Sequence, residues 1–126
     1  MNTNLKNTLI AVIVALTIFG CKDGPGRHLQ LGQWYGQKGL VDEAILEFRE
    51  VTRLLPNDIK LLSRDEYEML ANAHYNLALM YTKKGWWEFA LDAAESSFQL
   101  QPNNDVHELV DLIKKQIRLN QSSGSS

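Results

Sequence analysis

The sequence predicts an all-α protein: two αα-hairpins stacked as a short solenoid, closed by a C-terminal capping helix. Three observations carry this. His28 to Pro56 and His74 to Pro102 align without a gap, at a shift of 46 residues. In each copy apolar residues stand four apart, Leu31 with Tyr35 and Leu77 with Tyr81, so each pair shares one helix face. In each copy a glycine (Gly39, Gly85) and a closing proline (Pro56, Pro102) fall at the same offset. Such glycines mark turns after helices, and proline cannot continue one.

The chain opens differently. Met1 to Thr8 is polar with one positive charge, Lys6; Leu9 to Phe19 is apolar except for Thr17; Gly20 and Cys21 follow. This is the plan of a secretory signal peptide, predicted over 1–20. The apolar run is shorter than the ~20 residues of a transmembrane helix. Ile18-Phe19-Gly20-Cys21 resembles a bacterial lipobox. That resemblance implies cleavage before Cys21, a diacylglycerol on its thiol, and acylation of the new amino group. Two or more acyl chains anchor stably. Lys22 to Arg27 reads as a polar, turn-rich tether, so that 21–27 is the lipidated cysteine and its linker. Six residues span at most ~20 Å, which keeps the domain near the membrane. Lys22 stands where an aspartate would signal inner-membrane retention, which favours the outer membrane.

The helical domain covers 28–120. Its first repeat, 25–58, runs helix, turn at Gly39, helix, with Ala44 and Phe48 beginning the inner face of the second helix. Asn57 to Leu62 reads as a loop. Ser63-Arg64-Asp65-Glu66 has capping-box spacing and starts a long helix, Arg64 to Lys83. Its extra turns carry Tyr67, Met69 and Leu70, which either project or cover an edge. The second repeat, 71–104, has the same plan. Asp105 and Glu108 suit the start of a capping helix over 105–120. Val106, Leu109, Val110, Ile113 and Ile117 form its apolar stripe, with Leu112 and Leu119 off it, available to a further contact or a dimer. The serine-rich tail, 121–126, reads as disordered.

Leu31-Gly32-x-x-Tyr35, Ala44-x-x-x-Phe48 and Pro56, echoed by Leu77-Ala78-x-x-Tyr81, Ala90 and Pro102, resemble the tetratricopeptide repeat. His28 and His74 stand where that family often has tryptophan, and Ala94 where it has a large apolar residue. The copies lie 46 residues apart, against a family period of about 34. The resemblance implies a concave groove, lined by the first helix of each repeat, that binds an extended peptide or a partner helix. Its positions here are Leu29, Gln33 and Gln37 with Tyr75, Asn76, Leu79, Thr82 and Lys83. The apolar members predict a partly apolar partner.

Composition narrows the function further. The formal net charge is -2 and the pI about 5.9, without the basic excess of a nucleic-acid binder. A single cysteine makes neither an internal disulfide nor a cysteine-rich zinc site. His28 and His74 occupy equivalent packing positions and read as structural. His107 and Asp111, four apart, lack a third metal ligand. Glu43, Glu47 and Glu50 read as a solvated face. Gly24-Pro25-Gly26 lacks the length and Lys-Ser/Thr of a phosphate loop. No enzyme activity, cofactor or metal is predicted. Trp86 and Phe89, three apart beside two lysines, form either an exposed aromatic patch or a surface covered by the cap or the long helix; Trp87 is expected between helices. The reading is a lipid-anchored scaffold or adaptor binding proteins in bacterial envelope assembly of the pilus, secretin or outer-membrane type, facing the periplasm. The alternative is a regulatory adaptor of an envelope enzyme such as a cell-wall hydrolase. A cytosolic domain on an uncleaved anchor is the topological alternative. Two repeats and a cap lie near the lower limit for a stable array, so a partner or self-association would add stability.

Overall fold

The computed structural model describes residues 24–124 together with Thr3, Asn4, Lys6 and Asn7. The apolar run of the signal-peptide reading, the lipobox and Cys21 lie outside the described residues. Within 24–124, five α-helices follow in order: α1 Pro25–Gln37, α2 Val41–Leu54, α3 Arg64–Lys84, α4 Trp87–Leu100 and α5 Asn104–Ser123. There is no strand among the described residues. Each helix packs on its neighbour in sequence, and α1 also meets α3.

Both hairpins turn by the same device. Gly39 and Gly85 sit at φ +76 and +71. After α1, Leu40 N–H donates to Tyr35 O at 3.0 Å and Gly39 N–H to Gly36 O at 3.2 Å; after α3, Trp86 N–H donates to Tyr81 O at 2.9 Å and Gly85 N–H to Thr82 O at 3.0 Å. These are the paired bonds of a Schellman motif, which satisfy the last carbonyls of each helix.

The helix starts correct the sequence reading in two places. Helix α1 begins at Pro25, inside the expected tether, because proline is pre-organised for the first helical position and has no N–H to leave unpaired. Helix α5 is capped by Asn103, not Asp105: Asn103 is extended and its Oδ1 accepts Val106 N–H at 3.0 Å. At the other end α5 runs through Ser123, three residues into the expected disordered tail, where the Ser122 and Ser123 hydroxyls bond back to the carbonyls of Leu119 and Asn120. The capping box of α3 is formed as read, with Ser63 N–H donating to Glu66 Oε2 at 2.8 Å and Glu66 N–H to Ser63 Oγ at 3.2 Å. The segment before it contains one 3-10 turn, Ile59–Leu61.

Two apolar clusters hold the helices together. The larger joins Ile45 and Phe48 of α2, Leu77 and Met80 of α3, the alanines of α4, and Ile113 of α5. The smaller joins Val51 and Leu55 to Leu70, Ala73 and Leu100. The extra turns of α3 cover this second cluster, with Tyr67 and Met69 packed on it and the Tyr67 hydroxyl donating to Leu100 O. Ser97, the single buried polar side chain among the described residues, donates to Ala71 O at 3.0 Å. Trp87 packs against the larger cluster, and Leu112 and Leu119 are exposed.

Candidate functional site

Helix periodicity sets up the central groove. On α1, Gln33, Gly36 and Gln37 follow the three-and-four spacing of one face; on α3, Asn72, Tyr75, Asn76 and Lys83 do the same. Because α1 and α3 lie side by side, these rows line opposite walls of a cleft of about 570 Å³. Gly32 and Gly36 keep the α1 wall thin. A Cβ at Gly36 would stand 3.6 Å from Met80 Cε, so the methionine seats against bare backbone there.

The groove continues past α3. A second cleft, about 350 Å³, runs between α3, the end of α4 and the start of α5, and Asn72 and Tyr75 line it too. A third joins Leu29 to Asp65, Glu68, Met69 and Asn72. Asn72 therefore lines all three. On α3 the positions implied by the repeat resemblance begin at Tyr75, one helix turn short. Asn72 stands three residues before Tyr75 on the same face, and Glu68 four residues before Asn72.

Of the predicted groove residues, Gln33, Gln37, Tyr75, Asn76 and Lys83 come together in the central cleft. Leu29 and Leu79 do not. Leu79 is half-buried against the larger cluster, and Leu29 packs on both clusters while edging the third cleft. Thr82 spends its hydroxyl on Leu79 O at 2.6 Å. Apolar side chains at these positions are drawn into the core by burial. The groove is partly apolar through Phe48, Tyr75 and Met80 rather than through Leu29 and Leu79, with Gln33, Gln37, Asn72 and Asn76 beside them.

Its chemistry is uncharged over most of its length. Gln33, Gln37, Asn72 and Asn76 surround Tyr75. Asn76 Nδ2 donates to Asn72 O at 2.9 Å, which fixes its amide and turns its carbonyl oxygen to other donors. Charge appears only at the ends. Lys83 stands at one, while Asp65, Glu68 and Asp105 line the outer clefts at the other.

Outside the groove, Trp86 and Phe89 are 45% and 65% exposed. Neither the cap nor the long helix covers them. They surround Tyr81, with ring centroids 6.0 and 5.8 Å from it. Lys84 Nζ lies 5.2 Å from the Trp86 ring centroid and 2.9 Å from Asp42 Oδ1, bridging the two hairpins. Burial raises the Tyr81 phenol above its ordinary value, partly opposed by Arg49.

The histidines sort by contact. His28 Nδ1 is 2.6 Å from Glu47 Oε2, tying α1 to α2. Glu47 is therefore a half-buried partner and not part of a solvated face. Burial lowers the His74 imidazole below its ordinary value, with Asp92 pulling the other way. His107 stacks edge-on to Phe98 and lies 3.3 Å from Asp111. Among the described residues no three His, Cys, Asp or Glu side chains are grouped to hold a metal, and no helix is long and apolar enough to cross a membrane. No family model, curated protein or solved structure matches the chain.

Proposed function

We propose that the chain is a lipid-anchored helical-repeat adaptor of the tetratricopeptide type, without catalytic activity, that holds a protein partner at a bacterial envelope membrane. The observation that carries this is the groove. Four carboxamides face one another around Tyr75, and each both donates and accepts hydrogen bonds. That matches the alternating N–H and C=O groups of an extended peptide backbone. Lys83 at one end and the Asp65, Glu68 and Asp105 carboxylates at the other set a direction. The partner segment places acidic residues toward Lys83 and basic residues toward the start of α3. The lipobox-like Ile18 to Cys21 supports attachment at Cys21, and the short tether would keep the groove near the membrane surface.

The test uses the full chain in its native membrane, with a photo-reactive side chain at Gln37 or Lys83, and at Ile59 as a distant control. One envelope protein should recur at the two groove positions and be absent at Ile59. In the purified pair, Tyr75→Ala with Asn76→Ala should weaken binding by at least ~10-fold, about 1.4 kcal/mol, with an unchanged circular dichroism spectrum. Equal adducts at Ile59, or unchanged affinity in the double variant, would remove the groove from the function.

A further inference from the structure

A second surface lies on the outer side of α1. Arg27, Leu31, Trp34 and Lys38 are spaced four, three and four apart and form one stripe. The first three, with Gln30, line an open cleft of about 450 Å³. Trp34 is 51% exposed, and Lys38 Nζ lies 5.9 Å from its ring centroid.

The internal repeat shows what this face is not. Its equivalents on α3 are Ala73, Leu77 and Met80, which are 0%, 4% and 5% exposed because the first hairpin packs over them. Small residues there let helices approach closely. On α1 the alanine position holds arginine and the methionine position holds tryptophan. A third hairpin could not seat on this face in the same way. The residue types are instead those of a membrane interface: an aromatic with a polar edge, an aliphatic neighbour and flanking cations. Helix α1 contains no acidic residue, although the chain as a whole carries a net charge of -2. The chain path agrees. Helix α1 starts four residues after Cys21, at most ~14 Å along an extended chain. Its 13 residues are ~20 Å long.

We propose that the Arg27–Leu31–Trp34–Lys38 stripe lies on the anionic lipid surface in which Cys21 is anchored, with α1 flat against the headgroups. This rests on the reading of Cys21 as acylated. It implies more than a tether. Contact along α1 would fix the orientation of the domain on the bilayer.

Full-length protein purified from membranes is reconstituted into phosphatidylethanolamine–phosphatidylglycerol vesicles whose acyl chains carry bromine, a short-range quencher of tryptophan emission. The N-terminal peptide is read by mass spectrometry on the same sample. The expected result is quenching that Trp34→Phe largely removes and Trp86→Phe leaves. Arg27→Glu with Lys38→Glu should restore emission while the protein still floats with the vesicles. Replacing the anionic lipid by phosphatidylcholine should weaken the quenching. An acylated, floating protein whose quenching ignores Trp34→Phe would overturn the orientation and leave the anchor standing. Protection of Trp34 that grows with protein density and not with anionic lipid would assign the face to a second copy and also overturn it. An unacylated Cys21 in a protein that does not float would remove anchor and orientation together.

Discussion

Gly32 and Phe48 are where the two hairpins stop being copies. A Cβ at Gly32 would stand 2.6 Å from Phe48 Cε1. The phenylalanine is 1% exposed and has nowhere to move. The equivalent pair in the second hairpin is Ala78 and Ala94, both 0% exposed. The volume is redistributed: glycine faces a large ring in one copy, alanine meets alanine in the other. Ala94 is one half of this exchange. Gly32→Ala should destabilise by about 1–2 kcal/mol, since a contact this close puts overpacking at ~2–3 kcal/mol, against the ~1 kcal/mol that alanine gains in a helix. Phe48→Leu should relieve part of that loss, giving a coupling of about 1 kcal/mol between the two sites. Urea midpoints of the two single variants and the double variant check this, and a neutral Gly32→Ala would contradict it.

Helix ends carry the next layer of specification. The Schellman turn after α3 puts Trp86 at the position that makes a hydrophobic contact with the third residue from the helix end, here Tyr81. The ring contact seen is that contact, and it explains why Trp86 is held but half exposed. At the opposite end of α3, the Ser63–Glu66 capping box starts the turns that bring Tyr67 to Leu100 O. Ser63→Ala should cost about 1 kcal/mol. Amide exchange should accelerate first over Arg64 to Tyr67 and then at the end of α4, because the Tyr67 bond depends on the first turns. Exchange confined to the cap itself would separate the two.

Stability of the whole chain should depend on pH through His74, which stands on α3 beside a cleft shared with Thr52 of α2 and Leu100 of α4. Burial lowers its imidazole in the folded chain, whereas in the unfolded chain it takes up a proton near pH ~6.5. The unfolded state therefore binds more protons as the pH falls below that value. This contribution is complete above pH ~6.5 and is lost toward the lower folded-state value, by at most ~1.4 kcal/mol per pH unit. Asp92 opposes part of it. The urea midpoint should drop between pH ~7.5 and ~5.5, and His74→Gln should shrink the drop. An identical drop in His74→Gln would place the sensitivity elsewhere.

Much of this protein can be read along the chain. Helix number, both glycine turns, the Ser63 capping box and the Val106-to-Ile117 stripe follow from local rules, because backbone conformation and amphipathic spacing are set within a few residues. Gln33, Gln37, Tyr75, Asn76 and Lys83 are groove positions implied by the repeat resemblance, and they line one cleft. Which apolar side chains leave that cleft was not local. Leu29 and Leu79 share the groove's spacing, yet the packing of neighbouring helices draws them inward. Asn72 enters the groove because its part of α3 lies beside both α1 and the start of α5. The exposure of Trp86 and Phe89 was likewise open until the path of α5 was known, since the cap packs on α4 without covering them. Spacing assigns a residue to a side of its helix; what that side meets depends on elements distant in sequence, and burial is decided there.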